Sequence, residues 1–270
     1  MQKFSYAVLS ERKRQLLENP PASLKDKGAK ITTTMPESSS LFLDALLSHN
    51  IKDPAYSFQD IKNDIDSIIF AGTDSTASGV SWTIYLLGLY PCKLAKLQEE
   101  LDRVLGWDSC RTIALEDLLQ LHYLECCLKE SLRLYPPFPL FGRMLEKDTV
   151  IDGYSLPEGV TCFVDLYSLH RDPRHFPEPE LFVPERFLDD CGLRHPYSYI
   201  PFSAGPKSCL GKFRQRFFML EAKLLLAKVL SKFSVVPTRP VDQLKISYEV
   251  VLKARGKLRV WFYERNGPAS

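Results

Sequence analysis

Apolar residues recur at helical spacing over most of the first two thirds of the chain. The longest such segment covers 58–89, where one stripe of a helix would carry the apolar residues at 61, 65, 68, 69, 80, 84 and 87. Ser57 is a suitable N-cap for this helix, and Pro91 ends it. Similar spacing predicts further helices at about 1–18, 41–49, 93–105, 114–119, 122–135 and 210–231.

Shorter alternating stretches predict β structure in the last part of the chain. Residues 138–165 alternate in polarity around Asp-Gly and Pro-Glu-Gly turn signals, and 234–263 reads as β ribbons. Between them, 172–206 holds seven prolines, which predicts a long irregular meander of a kind usually kept for function. Residues 19–40, rich in Pro, Ser and Thr, predict a flexible connection. We therefore expect a mainly α fold with small β ribbons over 1–270.

Composition places the chain among ordinary globular proteins. Of its 270 residues, 45% are hydrophobic and 25% are charged, and 35 lysines and arginines against 33 acids give a formal net charge of +2. This balance lacks the basic footprint of nucleic-acid binding, so no nucleic-acid partner is expected. No stretch approaches the roughly 18 consecutive apolar residues of a membrane-spanning helix.

One cysteine stands in a setting that suits a metal ligand. Cys209 follows a Gly/Pro-rich loop that starts at Phe202, and it comes directly before the last long predicted helix. The partial positive charge and free amides of a helix N-terminus stabilise a thiolate. Gly205 and Gly211 allow the backbone to approach a flat group closely. A thiolate held in this way suits an axial iron ligand, and the alternative is a buried structural cysteine at a helix start.

A helix motif and a loop motif predict a supporting ion-pair network. Glu130 and Arg133 lie three positions apart in the predicted helix 122–135 and share one face. A surface ion pair would contribute little, but the neighbouring leucines put this face next to a core, where a buried arginine needs more than one partner. Arg186, in the loop segment Pro184–Phe187, is the expected third member and would clamp the meander onto the helix.

The centre of the long helix is unusually polar. Residues 71–79 include two glycines and four hydroxyl side chains, both unfavourable inside a helix. Small residues such as Ala71 and Gly72 make room for a ligand. An acid beside a hydroxyl, here Asp74 and Ser75, can relay protons to a bound oxygen species. The alternative is an ordinary polar helix face.

Together, and in this order, these segments resemble the cytochrome P450 family of haem-thiolate monooxygenases. Ser81-Trp82, Lys129–Pro137 and Tyr199–Pro206 are most similar to the family-four branch, which is associated with ω-hydroxylation of fatty acids. The resemblance extends over nearly the whole chain but covers only the C-terminal part of the family fold. It implies that the chain is a fragment, a partial gene product or a truncated isoform, without the N-terminal half and its membrane anchor.

The resemblance also implies the cofactor and the residues that hold it. Haem b would be bound with the Cys209 thiolate as axial ligand, Phe202 packed near the sulfur, and the loop glycines allowing close approach. Arg143 and Lys207 would pair with the haem propionates. In the long helix, Asp74 and Ser75 would serve oxygen activation and proton delivery. The Glu130, Arg133 and Arg186 side chains would form the supporting network.

Three positions depart from the family pattern. Ser75 stands where threonine is usual; it keeps the hydroxyl but lacks the methyl group that fixes the rotamer. Ala71 stands where many family-four members carry a glutamate that esterifies haem, so we expect haem to be non-covalent. Lys207 stands where arginine is usual, which keeps the charge but loses the planar fork.

The family implies the reaction and its setting. One oxygen atom of O₂ would enter a C–H bond of a hydrophobic, fatty-acid-like or xenobiotic substrate, with electrons from an NADPH-dependent reductase. The full-length protein would lie on the cytosolic face of the endoplasmic reticulum membrane.

Other functions remain open from the sequence. A haem-thiolate isomerase or dehydratase would need no external electrons, although the Asp74–Ser75 pair argues against it. A truncated, non-catalytic product would bind haem weakly or not at all. A cysteine-nucleophile hydrolase would need a histidine base, and no pattern orients His170, His175 or His195 toward Cys209.

Overall fold

The computed structural model describes residues 2–19, 42–53, 55–107, 111–188, 195–209, 212–240, 244–248 and 250–265. The chain divides into two compact units, Met1–Thr73 and Asp74–Ser270. From position 20 onward, the flexible connection predicted at 19–40 lies outside the described residues, and so does Gly211.

Helices provide most of the regular structure. They are α1 (Gln2–Glu18), α2 (Phe42–Lys52), α3 (Phe58–Leu89), α4 (Pro91–Leu105), α5 (Leu115–Gln120), α6 (His122–Leu134), α7 (Leu166–Leu169) and α8 (Lys212–Leu230). The helix predicted at 58–89 is confirmed with the same bounds, and the other predicted helices are confirmed within a few residues. The short α7 and a 3₁₀ turn at Pro184–Phe187 were not predicted. None of the helices in the described ranges is long and apolar enough to span a membrane.

The strands form small antiparallel pairs. They are β1 (Leu140–Met144), β2 (Thr149–Ile151), β3 (Tyr154–Leu156), β4 (Thr161–Asp165), β5 (Phe233–Pro237), β6 (Lys245–Tyr248), β7 (Leu252–Arg255) and β8 (Val260–Glu264). β1 pairs with β4, β2 with β3, β5 with β8, and β6 with β7. The prediction of a mainly α fold with small β ribbons is confirmed.

In the unit Asp74–Ser270, helices α4, α6 and α8 and the C-terminal part of α3 share one hydrophobic core. Leu94, Leu97 and Leu101 of α4 recur at helical spacing and are buried. Trp82 of α3 stacks on Tyr135, just after α6, with 3.9 Å between ring centroids. Because each such side chain contributes about 1.5–3 kcal/mol on burial, packing rather than local propensity holds these helices.

Helix α6 is capped by a side chain from another helix. Glu100 of α4 is buried and accepts hydrogen bonds from the backbone amides of Tyr123 (2.8 Å) and Leu124 (2.9 Å). The first amides of a helix lack intrahelical partners, and a negative charge is favourable there. Glu100 therefore fixes the start of α6, the helix that carries Glu130 and Arg133.

The unit Met1–Thr73 has a small core of its own. Leu9, Leu16, Leu47 and Ile61 are buried together. Arg12 of α1 also donates two hydrogen bonds to the Asp44 carboxylate of α2, at 2.7 and 2.8 Å.

Candidate functional site

A fully buried ion pair lies at the centre of the site. Arg133 donates from Nε to Glu130 Oε2 and from Nη2 to Glu130 Oε1, each at 2.8 Å, and both side chains have 0% exposure. Three positions along α6 bring the two groups to the same face, as the sequence predicts. A buried pair is tolerated only when its remaining hydrogen-bonding groups are also satisfied.

Main-chain carbonyls of the meander and of His170, just before it, accept the remaining hydrogen bonds of the guanidinium. Arg133 Nη1 donates to the carbonyl oxygens of His170 (2.9 Å) and Pro179 (2.7 Å), and Nη2 donates to that of Leu181 (3.1 Å). The Arg133 guanidinium also lies over the Phe176 ring, 5.2 Å from its centroid. The buried Arg133 side chain therefore holds the main chain at three positions, residues 170, 179 and 181.

Arg186 joins the same carboxylate from the 3₁₀ turn. Its Nε donates to Glu130 Oε1 at 3.0 Å, and the backbone amide of Val183 donates to the same oxygen at 2.9 Å. Arg186 Nη1 also donates to the carbonyl of Pro177 at 3.1 Å. The three charged side chains singled out in the sequence thus meet, and Glu130 accepts from two arginines and a backbone amide.

Glu185, the neighbour of Arg186, ties the other side of the turn to α4 and α6. Its carboxylate accepts from Lys93 (2.8 Å), Lys96 (3.1 Å) and the Tyr123 hydroxyl (2.9 Å). Partial burial opposes ionisation, but the hydrogen bonds from Lys93, the backbone, Lys96 and Tyr123 outweigh it and lower the pKa of Glu185 to about 2. The sequence motif Pro184-Glu185-Arg186-Phe187 predicted a role for its arginine only, because nothing local to Glu185 indicates Lys93, Lys96 or Tyr123 as partners.

Hydrogen bonds within the loop itself hold the cysteine segment. The Ser203 amide donates to the carbonyl of Ile200 at 2.9 Å, and the Cys209 amide donates to the carbonyl of Phe202 at 3.0 Å. Gly205 has a φ of 80°, a conformation that glycine adopts without strain. Cys209 is an exposed free thiol three positions before the first residue of α8. The side chain is therefore available to a ligand rather than buried in the core.

Phe202 anchors the start of this loop in the core. Its ring makes an edge contact with Phe218 of α8, with centroids 5.4 Å apart. A Cβ built on Gly79 of α3 would lie 3.0 Å from Cζ of the same Phe218 ring. The glycine at 79 thus permits close packing of α3 on α8.

Two cationic side chains lie along the loop. Arg143 of β1 donates from Nη2 to Ser203 Oγ (2.9 Å) and to the carbonyl of Lys207 (3.0 Å), so it bridges both arms of the loop. Lys207 is exposed and lies 3.6 Å from the exposed Glu146 carboxylate. This arrangement presents two positive charges beside the Cys209 segment, and positive charges of this kind suit an anionic group.

Within α3, the acid and hydroxyl singled out in the sequence have different surroundings. Asp74 is 37% exposed in its side chain and lies 3.7 Å from Lys253 Nζ, an ion pair that the sequence did not indicate. Ser75 is partly buried, and its neighbour Thr76 is buried with its hydroxyl 3.5 Å from Glu221 of α8. Ala71 and Gly72 belong to the unit Met1–Thr73, where a Cβ added at Gly72 would meet nothing within 4 Å.

His170 is a residue of the site that sequence reasoning missed. It is completely buried, and its Nε2 accepts a hydrogen bond from the backbone amide of Ile200 at 3.0 Å. Burial together with the charges of Arg133 and Arg171 lowers the pKa of His170 to about 3. With its Nε2 lone pair already used, His170 does not suit the base of a cysteine hydrolase. The dipeptide His170-Arg171 ahead of the proline-rich meander was the available signal.

Comparison with known proteins shows the family of the chain. The family model described as cytochrome P450 matches residues 2–260. The chain is 37% identical over 268 residues to cytochrome P450 4c3 of Drosophila melanogaster, covering 95% of this chain and 48% of the relative. It is 42% identical over 214 residues to cytochrome P450 4V2 of Mus musculus, and the match covers 78% of this chain and 40% of the relative. It is 37% identical over 265 residues to cytochrome P450 4V2 of Homo sapiens, and the match covers 97% of this chain and 49% of the relative.

These relatives carry the family-four names that the resemblance indicated. The chain spans about half the length of the curated relatives it matches.

Proposed function

Because the chain belongs to the cytochrome P450 family, we propose that it provides the haem-thiolate portion of a monooxygenase. Membership implies a haem-thiolate cofactor, O₂, a hydrophobic substrate and a redox partner. In the proposed reaction one oxygen atom enters a C–H bond of a fatty-acid-like or xenobiotic substrate, and the other leaves as water with two protons and two electrons from a reductase. The observation that carries the proposal is an exposed cysteine loop that hydrogen bonds connect to a buried ion-pair network.

The donor set of the loop fits a haem. Cys209 is a free, exposed thiol, and a lone thiolate is the axial ligand of haem-thiolate proteins. The Cys209 amide is held by Phe202, so the loop backbone is fixed next to the thiol. A cysteine on a loop that is held at both ends is a better ligand than one on an unconstrained segment, because less conformational entropy is lost on binding.

Arg143 and Lys207 are the proposed partners of the haem propionates. Arg143 reaches the loop from β1 and is held by Ser203 and the Lys207 carbonyl. Charge-assisted hydrogen bonds from such cations to carboxylates are stronger than neutral ones. Lys207 would supply a single charge without the bidentate geometry of arginine.

When bound, the haem-thiolate group supplies the activation of O₂ for insertion into a C–H bond. The part we assign to α3 is proton supply. Asp74 is held by Lys253 at 3.7 Å and remains partly exposed, so it is able to exchange protons with solvent. Ser75, the next residue, would pass a proton from the acid toward the oxygen through its hydroxyl.

The partner and location follow from the family rather than from the contacts described above. We propose an NADPH-dependent reductase as electron donor and the cytosolic face of the endoplasmic reticulum as the site of the complete protein. Lys207 and Arg216 are exposed near the loop and the start of α8, and basic side chains of this kind favour the approach of an acidic partner.

Haem titration of the 270-residue chain, followed by turnover measurements, tests the proposal. We expect stoichiometric haem uptake by this chain. In the complete protein, with reductase and NADPH, we expect hydroxylation of a medium- or long-chain fatty acid that depends on O₂. Turnover of a peroxide substrate without reductase would instead favour an isomerase or dehydratase. Failure to bind haem would favour the non-catalytic alternative.

A further inference from the structure

His170 connects two parts of the site that the sequence motifs leave separate. Its main-chain carbonyl accepts a hydrogen bond from Arg133 Nη1 at 2.9 Å, and its side-chain Nε2 accepts one from the Ile200 amide at 3.0 Å. The residue is fully buried. His170 thus contacts both Arg133 of the buried ion pair and Ile200, two positions before the cysteine loop that starts at Phe202.

Hydrogen bonds continue from Ile200 to the cysteine. The Ile200 carbonyl accepts from the Ser203 amide at 2.9 Å, which closes a turn. Inside that turn, the carbonyl of Phe202 accepts from the Cys209 amide at 3.0 Å. A displacement of Ile200 would therefore move the backbone to which Cys209 is bonded.

The role of acceptor requires a neutral imidazole. Because Nε2 accepts a hydrogen bond from the Ile200 amide, the hydrogen of the neutral ring lies on Nδ1, which is buried without a hydrogen-bond partner among the described atoms. Arg133 and Arg171 are the charged groups that face the ring, and both oppose its protonation. Tyr199, 5.3 Å away between ring centroids, packs against the imidazole and donates its hydroxyl to the carbonyl of Lys129 at 2.9 Å.

We propose that His170 is a positioning residue that holds the cysteine loop against the Glu130–Arg133 pair through the hydrogen bond from Ile200 to Nε2. Its relevance to the haem ligand rests on the proposed function of Cys209. The hydrogen bond itself is a property of the chain, so it is testable without any cofactor.

Two substitutions of His170 distinguish its hydrogen bond to the Ile200 amide from the packing of its ring. His170→Phe keeps an aromatic ring of similar size but has no acceptor, so the buried Ile200 amide would lose its partner. His170→Gln is long enough to offer an amide oxygen near the position of Nε2. His122→Phe, at an exposed histidine that starts α6, is the matched control.

Hydrogen exchange at the Ile200 amide, measured by NMR, is the direct test. We expect exchange about tenfold faster in His170→Phe, because loss of one net hydrogen bond changes a local opening equilibrium by about that factor. His170→Gln should stay within about threefold of the wild type, and His122→Phe should not change it. Unchanged exchange in folded His170→Phe would overturn the proposal.

A measurement on the unaltered protein covers the case in which His170→Phe does not fold. The ¹⁵N spectrum of the His170 ring should show a neutral imidazole with a bare Nε2 and a proton on Nδ1 from pH 8 down to pH 5. A proton on Nε2 in this range would rule out the acceptor role.

Haem spectroscopy then separates this inference from the proposed function. In the haem-loaded protein, His170→Phe should lower the fraction of thiolate-type absorption of the ferrous carbon monoxide complex, with rescue in His170→Gln. If Cys209→Ala keeps that absorption, the proposed function fails, whatever the exchange result. If the wild type shows it and His170→Phe keeps the full fraction, only the positioning role fails.

Discussion

Arg186 donates from Nε to Glu130 Oε1 across 3.0 Å, and this bond joins a 3₁₀ turn to a helix 56 positions earlier in the chain. The same carboxylate also holds Arg133 and the Val183 amide. Glu130 is therefore the shared anion of a network that contains two arginines. Its removal would take the carboxylate from both arginines, and Arg133 would remain as a fully buried cation.

The first prediction concerns the stability of this network. Glu130→Gln keeps the size of the side chain but removes its charge, and we expect it to lower the free energy of unfolding by about 3–5 kcal/mol because Arg133 becomes an uncompensated buried charge. Urea unfolding followed by tryptophan fluorescence measures it, since Trp82, Trp107 and Trp261 all belong to the unit Asp74–Ser270. Glu146→Gln, at an exposed ion pair, should cost less than 1 kcal/mol. Equal costs for the two variants would contradict the network.

A second prediction concerns acid stability. The pKa of Glu185 is about 2 in the folded protein and ordinarily 4.5, so its contribution is present above pH 4.5 and is lost as the pH falls toward 2. Because the side chain is 30% exposed, solvent screening reduces this contribution to about 1–2 kcal/mol. Wild type and Glu185→Gln should therefore differ at pH 6 and converge near pH 2.

The measurement is the unfolding free energy of both proteins at several pH values. Glu180→Gln is the control, because Glu180 is 71% exposed and bonds only one arginine in the described contacts. A constant difference between wild type and Glu185→Gln over the whole range would show that the carboxylate contributes through shape rather than charge.

A third prediction concerns the packing of α3 on β5. A Cβ at Gly88 would lie 2.9 Å from Pro237 Cδ and 3.1 Å from the carbonyl oxygen of Val235. Neither a proline ring nor a strand carbonyl moves easily, so Gly88→Ala should destabilise the protein by about 1–3 kcal/mol, despite the better helix propensity of alanine. Ser81→Ala, at an exposed position of the same helix, should instead be neutral or slightly stabilising. Thermal unfolding followed by fluorescence distinguishes them; a stabilising Gly88→Ala would refute the close contact.

Local pattern was sufficient for the longer helices of this fold. The helix Phe58–Leu89 matches its prediction because Ser57, a regular apolar stripe and Pro91 are all local signals. The i, i+3 spacing of Glu130 and Arg133 was likewise enough to predict that they share a face. The short α7 was missed because four residues are too few to establish a period.

Contacts made by the main chain could not be predicted in this way. Arg133 donates to the carbonyls of residues 170, 179 and 181. Because every residue type has a backbone carbonyl, the residue types at these positions do not indicate that they are its partners. The Ile200 amide that donates to His170 could not be predicted for the same reason, since every residue except proline has a backbone amide. Asp74 was expected to act as an acid, and its ion pair with Lys253 depends on where the β6–β7 ribbon lies against α3. Such placement is tertiary information that local spacing does not contain.

The absorption of the ferrous carbon monoxide complex tests most directly whether Cys209 binds the iron. The haem-loaded wild type and Cys92→Ala, a variant of another exposed free cysteine, should both show the thiolate-type Soret band. Cys209→Ala should lose this band. A wild-type chain that takes up haem without the band, or a Cys209→Ala variant that keeps it, would contradict the assignment of this thiol as the iron ligand.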